Sequence, residues 1–209
     1  MTISSATRIG LIRHATTLWN EKKKIQGQLG SPLSAVGIQM AQSWGRELKG
    51  FPWQRIVSSD LERAKETTVL INKELDLPVI YDSRLREQDW GRWSGMTLAG
   101  VNEKDPLVLS KQVRSGWEFR PPGGESRHEV LQRTLKSLNE IHDNWPGENV
   151  LVVCHEGVIK CLLYHLLERK FLPEEPKVLK NFYLHLLVFK ENNLNLEQVN
   201  NLALTGSID

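Results

Sequence analysis

The apolar run over residues 9–12 ends abruptly at Arg13-His14, and no other feature constrains the fold of this 209-residue chain so sharply. A short apolar run reads as a buried strand. Arginine and histidine seldom sit in a core without a partner, so this strand empties into a polar cluster. Open α/β sheets place their ligand sites there, outside the carboxyl ends of the strands. A guanidinium beside an imidazole suits an anion, most simply a phosphate. The same two side chains would also serve on a solvated surface loop.

The rest of the chain alternates strand and helix patterns. Ser34 can cap a helix reaching about Lys49, with Val36, Met40, Ala41, Trp44 and Leu48 as its apolar stripe. Residues 55–57 predict a short strand leading to Ser58-Ser59. Ser59 and Glu62 then form a capping-box pattern, and Leu61, Ala64, Thr68, Ile71 and Leu75 share one helix face. Arg63 falls in the first turn, on a different face. Residues 78–81 predict a third strand. Residues 82–123, rich in Gly, Pro and Trp, read as an irregular lid or binding wall.

The pattern resumes with a second capping box, Ser126 and Glu129. Leu131, Leu135, Leu138, Ile141 and Trp145 follow until Pro146-Gly147 ends the helix. Residues 150–153 are the most strongly apolar strand, delivering Cys154 and His155. Val158, Ile159, Leu162, Leu163 and Leu166 predict a very apolar helix after them. Residues 183–189 and 194–199 predict a terminal hairpin turning at 191–193. Strands alternating with helices point to an α/β fold: a three-layer α/β/α sandwich with a mainly parallel central sheet, forming one domain over residues 1–209.

Composition narrows the function classes. The formal charge, 27 basic against 25 acidic residues, is only +2, too small to argue for nucleic acid or a membrane surface. Nothing approaches the ~18 apolar residues of a membrane span, and residues 1–7 lack the apolar run of a signal peptide. Two cysteines, Cys154 and Cys161, make neither a disulfide framework nor a C-x-x-C pair. The expectation is a cytoplasmic protein acting on a small molecule; nothing bears on oligomeric state.

Four motifs carry the chemistry. Arg13-His14 with Thr17, Trp19 and Asn20 resembles the R-H-G-x-T-x-W-N signature of the histidine phosphatase (phosphoglycerate mutase-like) superfamily. Residues 58–64 resemble its S-S-D-L-x-R-A motif, Leu85, Glu87, Gly91 and Gly95 its L-x-E-x-x-x-G-x-x-x-G segment, and residues 153–159 its second-histidine motif. They appear in the family's order between residues 8 and 160. The departures are Ala15 where glycine is usual, Thr16 where Glu or Gln is frequent, and Glu156 where a small residue is common. The alanine tolerates its turn only at negative φ. Glu156, if it pointed inward, would oppose an anionic substrate.

The resemblance implies the three-layer fold and a set of roles. His14 would attack phosphorus as a neutral ring and carry the phosphoryl group as phosphohistidine. Arg13, Arg63 and a protonated His155 would stabilise the phosphoryl oxygens, with Arg13, Asn20, Arg63 and His155 binding the substrate. Glu87 would protonate the leaving oxygen and later take a proton from water; Asp89 is the fallback acid. Trp90, Trp93 and Trp117 either stack on an organic leaving group or seal a loop onto the core. Lys22 to Lys24 either meet a second anionic group or are a solvated loop.

Two rival chemistries fail on residue identity. Residues 155–159 begin like the zincin H-E-x-x-H, but Ile159 stands where the second histidine must be. Cys154 in a strand-to-helix turn lacks the arginine of a cysteine phosphatase, since Lys160 holds that position, and fits better as a small buried hydrophobe. The leading expectation is therefore a metal-independent phosphatase, needing no cofactor, for a small phosphomonoester such as a sugar phosphate, α-ribazole phosphate or a bisphosphate. A 2,3-bisphosphoglycerate-dependent mutase comes second, because true mutases carry a longer insert than the 155 − 87 = 68 residues between acid and second histidine here. A non-catalytic phosphate-binding protein comes last, since both nucleophile and acid are present.

Overall fold

The computed structural model describes residues 6–205. Residues 1–5, which include most of the stretch read as lacking a signal peptide, lie outside the described residues, as do 206–209. The chain runs β1 (Arg8–Arg13), α1 (Leu18–Glu21), α2 (Ala35–Leu48), β2 (Arg55–Ser58), α3 (Glu62–Leu75), β3 (Val79–Tyr81), α4 (Leu98–Lys104), α5 (Pro106–Arg114), α6 (Arg127–Asn144), β4 (Asn149–Cys154), α7 (Glu156–Leu166), β5 (Tyr183–Lys190) and β6 (Asn193–Ala203).

One six-stranded sheet in the order β3-β2-β4-β1-β5-β6 organises it. The four strands β3, β2, β4 and β1 are parallel, and the β5–β6 hairpin joins antiparallel at β1. The apolar runs are continuous because the parallel strands are buried on both faces. Side chains alternate between two cores: Ile9, Leu11, Val150 and Val152 pack towards α6 and α7, whereas Ile12, Ile56, Leu151 and Val153 pack towards α2 and α3. This is the expected three-layer arrangement, its mainly parallel sheet bearing an antiparallel edge.

Two predicted caps form as read. Ser34 Oγ accepts from Gly37 N, and Ser126 and Glu129 make a reciprocal capping box. The terminal hairpin also forms, with Glu191 and Asn192 both at positive φ, the backbone a tight two-residue turn requires. Two expectations are corrected. Ser59 and Glu62 do not cap α3: its N-cap is Leu61, without a side-chain bond, because the Ser59 hydroxyl is drawn 2.8 Å from His155 Nε2 instead. Residues 82–123 are not wholly irregular, since they contain α4 and α5. Thr97 caps α4 and Pro106 opens α5, but α5 buries no residue and α4 only Val101. Their inward apolar contacts, Val101 and the half-buried Leu109 against Trp93 and Phe119, make too short a core face to read from the sequence.

The register sets up the site. Arg13 pairs with Cys154 and Ser58 with Val153, so β1, β2 and β4 end together and release His14, Ser59 and His155 at one sheet edge. No helix among the described residues is long and apolar enough to cross a membrane.

Candidate active site

His14 leaves β1 in a buried turn. Its backbone N donates to Cys154 O (3.0 Å), and Ala15 N donates to Thr67 Oγ1 (3.1 Å). Ala15 is absent from the residues at positive φ, so the departure from glycine costs no strain. His14 Nδ1 lies 2.7 Å from Ala15 O. A carbonyl can only accept, so Nδ1 carries the proton and Nε2 keeps its lone pair. Burial, with Arg63 and Arg13 adding to it, holds the ring well below 6.5 and therefore neutral.

Arg63 reaches the same ring from the first turn of α3. Its Nε donates to His14 Nε2 (3.2 Å), Nη1 to Leu29 O (3.0 Å) and Nη2 to Gly27 O (2.7 Å). A guanidinium has five N–H donors, so each η nitrogen retains one. Desolvation lowers Arg63 to about 10, with Glu87 opposing and Arg13 assisting; it stays charged at neutral pH.

His155 stands beside His14, ring centroids 5.1 Å apart. Ser59 Oγ already accepts from Leu61 N (3.3 Å), leaving its O–H to donate to His155 Nε2 (2.8 Å). Nδ1 is then the protonated nitrogen, and it is buried without a partner. The expectation of a protonated His155 needs correction: burial first, then Arg63, His14 and Arg13, push this ring well below 6.5. A neutral ring still donates through Nδ1–H.

Arg13 Nε is likewise buried and unpartnered, while its Nη1 pairs with Glu156 Oε2 at 2.6 Å. Glu156 thus does not stand as a free charge opposing an anion; it is neutralised by the arginine beside it. Two orphaned buried donors, Arg13 Nε and His155 Nδ1, are unusual in a folded protein.

Glu87 faces the cavity from the segment after β3. Its Oε1 accepts from Gln88 N (2.8 Å) and Oε2 from Gly157 N (3.2 Å). Burial raises its pKa above the ordinary 4.5, although those N–H groups and Arg63 pull the other way. Asp89 is engaged elsewhere, its Oδ1 accepting from Gly91 N (2.8 Å), which corrects its role as fallback acid.

Four of the five predicted catalytic residues, Arg13, His14, Arg63 and Glu87, line one cavity of about 400 Å³ with Asn20, Lys23, Lys24 and Trp90; the fifth, His155, is fully buried and packs against His14. Asn20 uses its side-chain oxygen to receive Thr17 N (3.0 Å) at the start of α1, so its amide N–H₂ is the part left for a ligand. Trp93 is sealed against Phe119 and Val101, and Trp117 packs on Phe171 (4.7 Å); of the three tryptophans only Trp90 borders the cavity. Cys154 is fully buried, and burial pushes its thiol upward, as befits a core residue. Among the described residues no three His, Cys, Asp or Glu side chains are grouped to hold a metal ion.

The sequence reading missed Arg127 and Lys160, which also line the cavity. It missed Arg133 too, whose guanidinium binds Arg84 O (2.6 Å), Glu87 O (3.2 Å) and Glu125 (2.7 Å) and so fixes the segment carrying the acid. Glu156 and Lys160 lie four apart on α7, hence on one face, which was the only local signal.

Known proteins share this architecture. The chain is 33% identical over 157 residues, 75% of its length and 76% of the relative's, to a Bacillus subtilis (strain 168) protein named "Uncharacterized phosphatase PhoE". It is 33% identical over 160 residues, 77% of its length and 74% of the relative's, to the Salmonella choleraesuis protein named "Probable phosphoglycerate mutase GpmB". Bacillus stearothermophilus YhfR superposes with a TM-score of 0.86 at 28% identity, over 95% of this chain and 99% of that one. A mycobacterial glucosyl-3-phosphoglycerate phosphatase bound to VO3 gives 0.79 at 30% identity, over 92% and 98%. Residues 9–202 match the family model of the histidine phosphatase superfamily (branch 1), and the chain belongs to that superfamily.

Proposed function

We propose that this protein is a phosphatase that hydrolyses a small phosphomonoester through a phosphohistidine on His14. The observation that carries the reading is the pairing of a neutral imidazole with a carboxyl shifted toward its acid form. A histidine held neutral with its Nε2 lone pair free of a proton shares a cavity with a buried carboxyl whose pKa is raised. A nucleophile and a general acid need those states together.

In the first step Nε2 attacks phosphorus while the bond to the ester oxygen breaks. The released electron pair stays on that oxygen, which takes the proton of Glu87. The incoming phosphoryl group displaces the Arg63 Nε–H from Nε2, and that donor turns to a phosphoryl oxygen. The orphaned Arg13 Nε–H and His155 Nδ1–H supply further preorganised donors, where transition-state charge is best stabilised. In the second step Glu87 takes a proton from water as its oxygen attacks phosphorus. The P–N bond breaks and its electron pair returns to Nε2.

The test is turnover by His14→Ala together with trapping of the phosphoenzyme by an alkaline denaturing quench. Activity should fall by at least about a thousandfold with the fold intact, and wild-type protein alone should yield an acid-labile, base-stable phosphoenzyme. Near wild-type activity in the variant would sink the assignment.

The mutase name of the Salmonella relative favours a second reading, in which a bound hydroxyl takes the phosphoryl group instead of water. Inorganic phosphate released from 3-phosphoglycerate without a bisphosphate primer supports the phosphatase. Primer-dependent formation of 2-phosphoglycerate with little free phosphate supports the mutase.

A further inference from the structure

The cavity has a second cationic end that the phosphoryl chemistry leaves unused. Arg127 opens α6, and Lys160 lies on α7 five residues past His155; both border the cavity beside Phe171. Arg127 spends one N–H on Gly116 O (2.8 Å), and its guanidinium carbon sits 4.3 Å from the ring centres of both Phe119 and Phe171. Lys160 Nζ lies 5.4 Å from the same Phe171 and 5.3 Å from Tyr164.

One ring therefore carries two cations, and neither has an ion pair among the described residues. The carboxylate that acts on Lys160, Glu156, is already bound by Arg13. Burial holds Arg127 at about 10, and burial together with Arg127 lowers Lys160. Like charges gathered in a half-buried wall cost free energy until an anion joins them. Phe171 adds to that cost with a φ of 63°, an outlier for a bulky residue of the kind that collects at ligand sites.

We infer that Arg127 and Lys160 form a subsite for a second anionic group, a carboxylate or another phosphate, on the leaving group of the substrate. The inference deepens the phosphatase reading and rests on it. Five residues of helix separate His155 from Lys160, about 7.5 Å along the axis, a span that a small polyol or sugar can bridge. Glu156 lies between the two ends, and its pairing with Arg13 keeps it from repelling either anion.

The test uses matched esters. 3-Phosphoglycerate and glycerol 3-phosphate differ by a carboxylate, and fructose 1,6-bisphosphate and fructose 6-phosphate by a phosphate. Wild-type kcat/KM should favour the charged member of at least one pair, and the preferred pair identifies the group. Lys160→Gln and Arg127→Met should each cut that selectivity ratio about 10- to 100-fold, the size of a lost charge-assisted hydrogen bond, and through KM. Arg127→Lys should keep part of it, which separates lost charge from lost packing.

Equal turnover of both members in the wild type, or variants that leave the ratio unchanged, would overturn the subsite. If no ester is hydrolysed, the phosphatase reading fails by itself. The subsite is then judged by calorimetric binding of the same pairs to His14→Ala, where tighter binding of the charged members supports it and equal binding refutes it.

Discussion

Glu87 and Gly157 constrain each other. Gly157 N donates to the carboxylate, and a Cβ on Gly157 would fall closer to Glu87 Oε1 than real Cβ contacts allow. Gly157→Ala should therefore push the carboxyl off its seat and lower kcat on an alkyl phosphate by at least tenfold. An aryl phosphate, whose leaving group needs little protonation, should suffer much less, and Glu87→Gln should show the same contrast. Equal losses on both esters would remove Glu87 as the acid. Because the acid form of Glu87 is required and its pKa is raised, activity on the alkyl ester should fall as pH rises through that pKa. Glu87→Gln should abolish that limb. Arg13, His14, Arg63, Glu87 and His155 were legible because each sits in a short motif of fixed spacing. The need for glycine at 157 was not, since the atom it must avoid lies 70 residues away.

Among the elements, α6 holds the acid in place. Its Arg133 ties Glu125 and the carbonyls of Arg84 and Glu87 together, and the Arg133 and Glu125 side chains are only 18% and 17% exposed. Arg133→Met leaves a shielded carboxylate and two carbonyls without this donor, a loss of about 1–3 kcal/mol or more, which a lowered Tm would register. A purely structural role would stop there. A positioning role predicts in addition a kcat reduced roughly tenfold on alkyl esters and a displaced alkaline limb, with Arg133→Lys recovering part of both. The sequence revealed α2 and α6 because a serine cap precedes an apolar stripe. It misled at α3, where Ser59 has the spacing of a cap but serves His155. It concealed α5, whose Leu107 is 84% exposed and which buries no residue: a helix without a buried face has no core pattern to imprint on its sequence.

At the scale of the whole molecule, gathering three strand ends around buried histidines couples stability to pH. The convergence was legible from strand–helix alternation, but the burial of the histidines was not, since it depends on how the layers close. His14 and His155 are held well below 6.5, and burial lowers His185 to about 4, its Nδ1 accepting from Asn200 N (3.1 Å). A histidine whose folded pKa lies below its unfolded value binds its proton more readily once unfolded. Its contribution is therefore complete above 6.5 and is lost as pH falls toward the folded value. For His185, a drop from 6.5 to about 4 amounts to at most on the order of 3 kcal/mol. Glu87 acts in the opposite sense, because its folded pKa is raised: its contribution is complete below the unfolded value of 4.5 and is lost as pH rises. The histidines outnumber Glu87, and carboxylates with lowered pKa such as Asp60 and Asp82 also lose their contribution as pH falls. Urea unfolding should thus show stability falling steadily from pH 6.5 to 4.5, more steeply than the ~1.4 kcal/mol per pH unit of one proton. Saturating inorganic phosphate, by favouring charge on His14 and His155, should flatten part of the slope. His185→Asn, which keeps an acceptor for Asn200, should flatten a separate part that phosphate leaves untouched. A stability profile level between pH 6.5 and 4.5 would mean that these rings are protonated in the folded protein, and the neutral nucleophile assigned to His14 would fall with it.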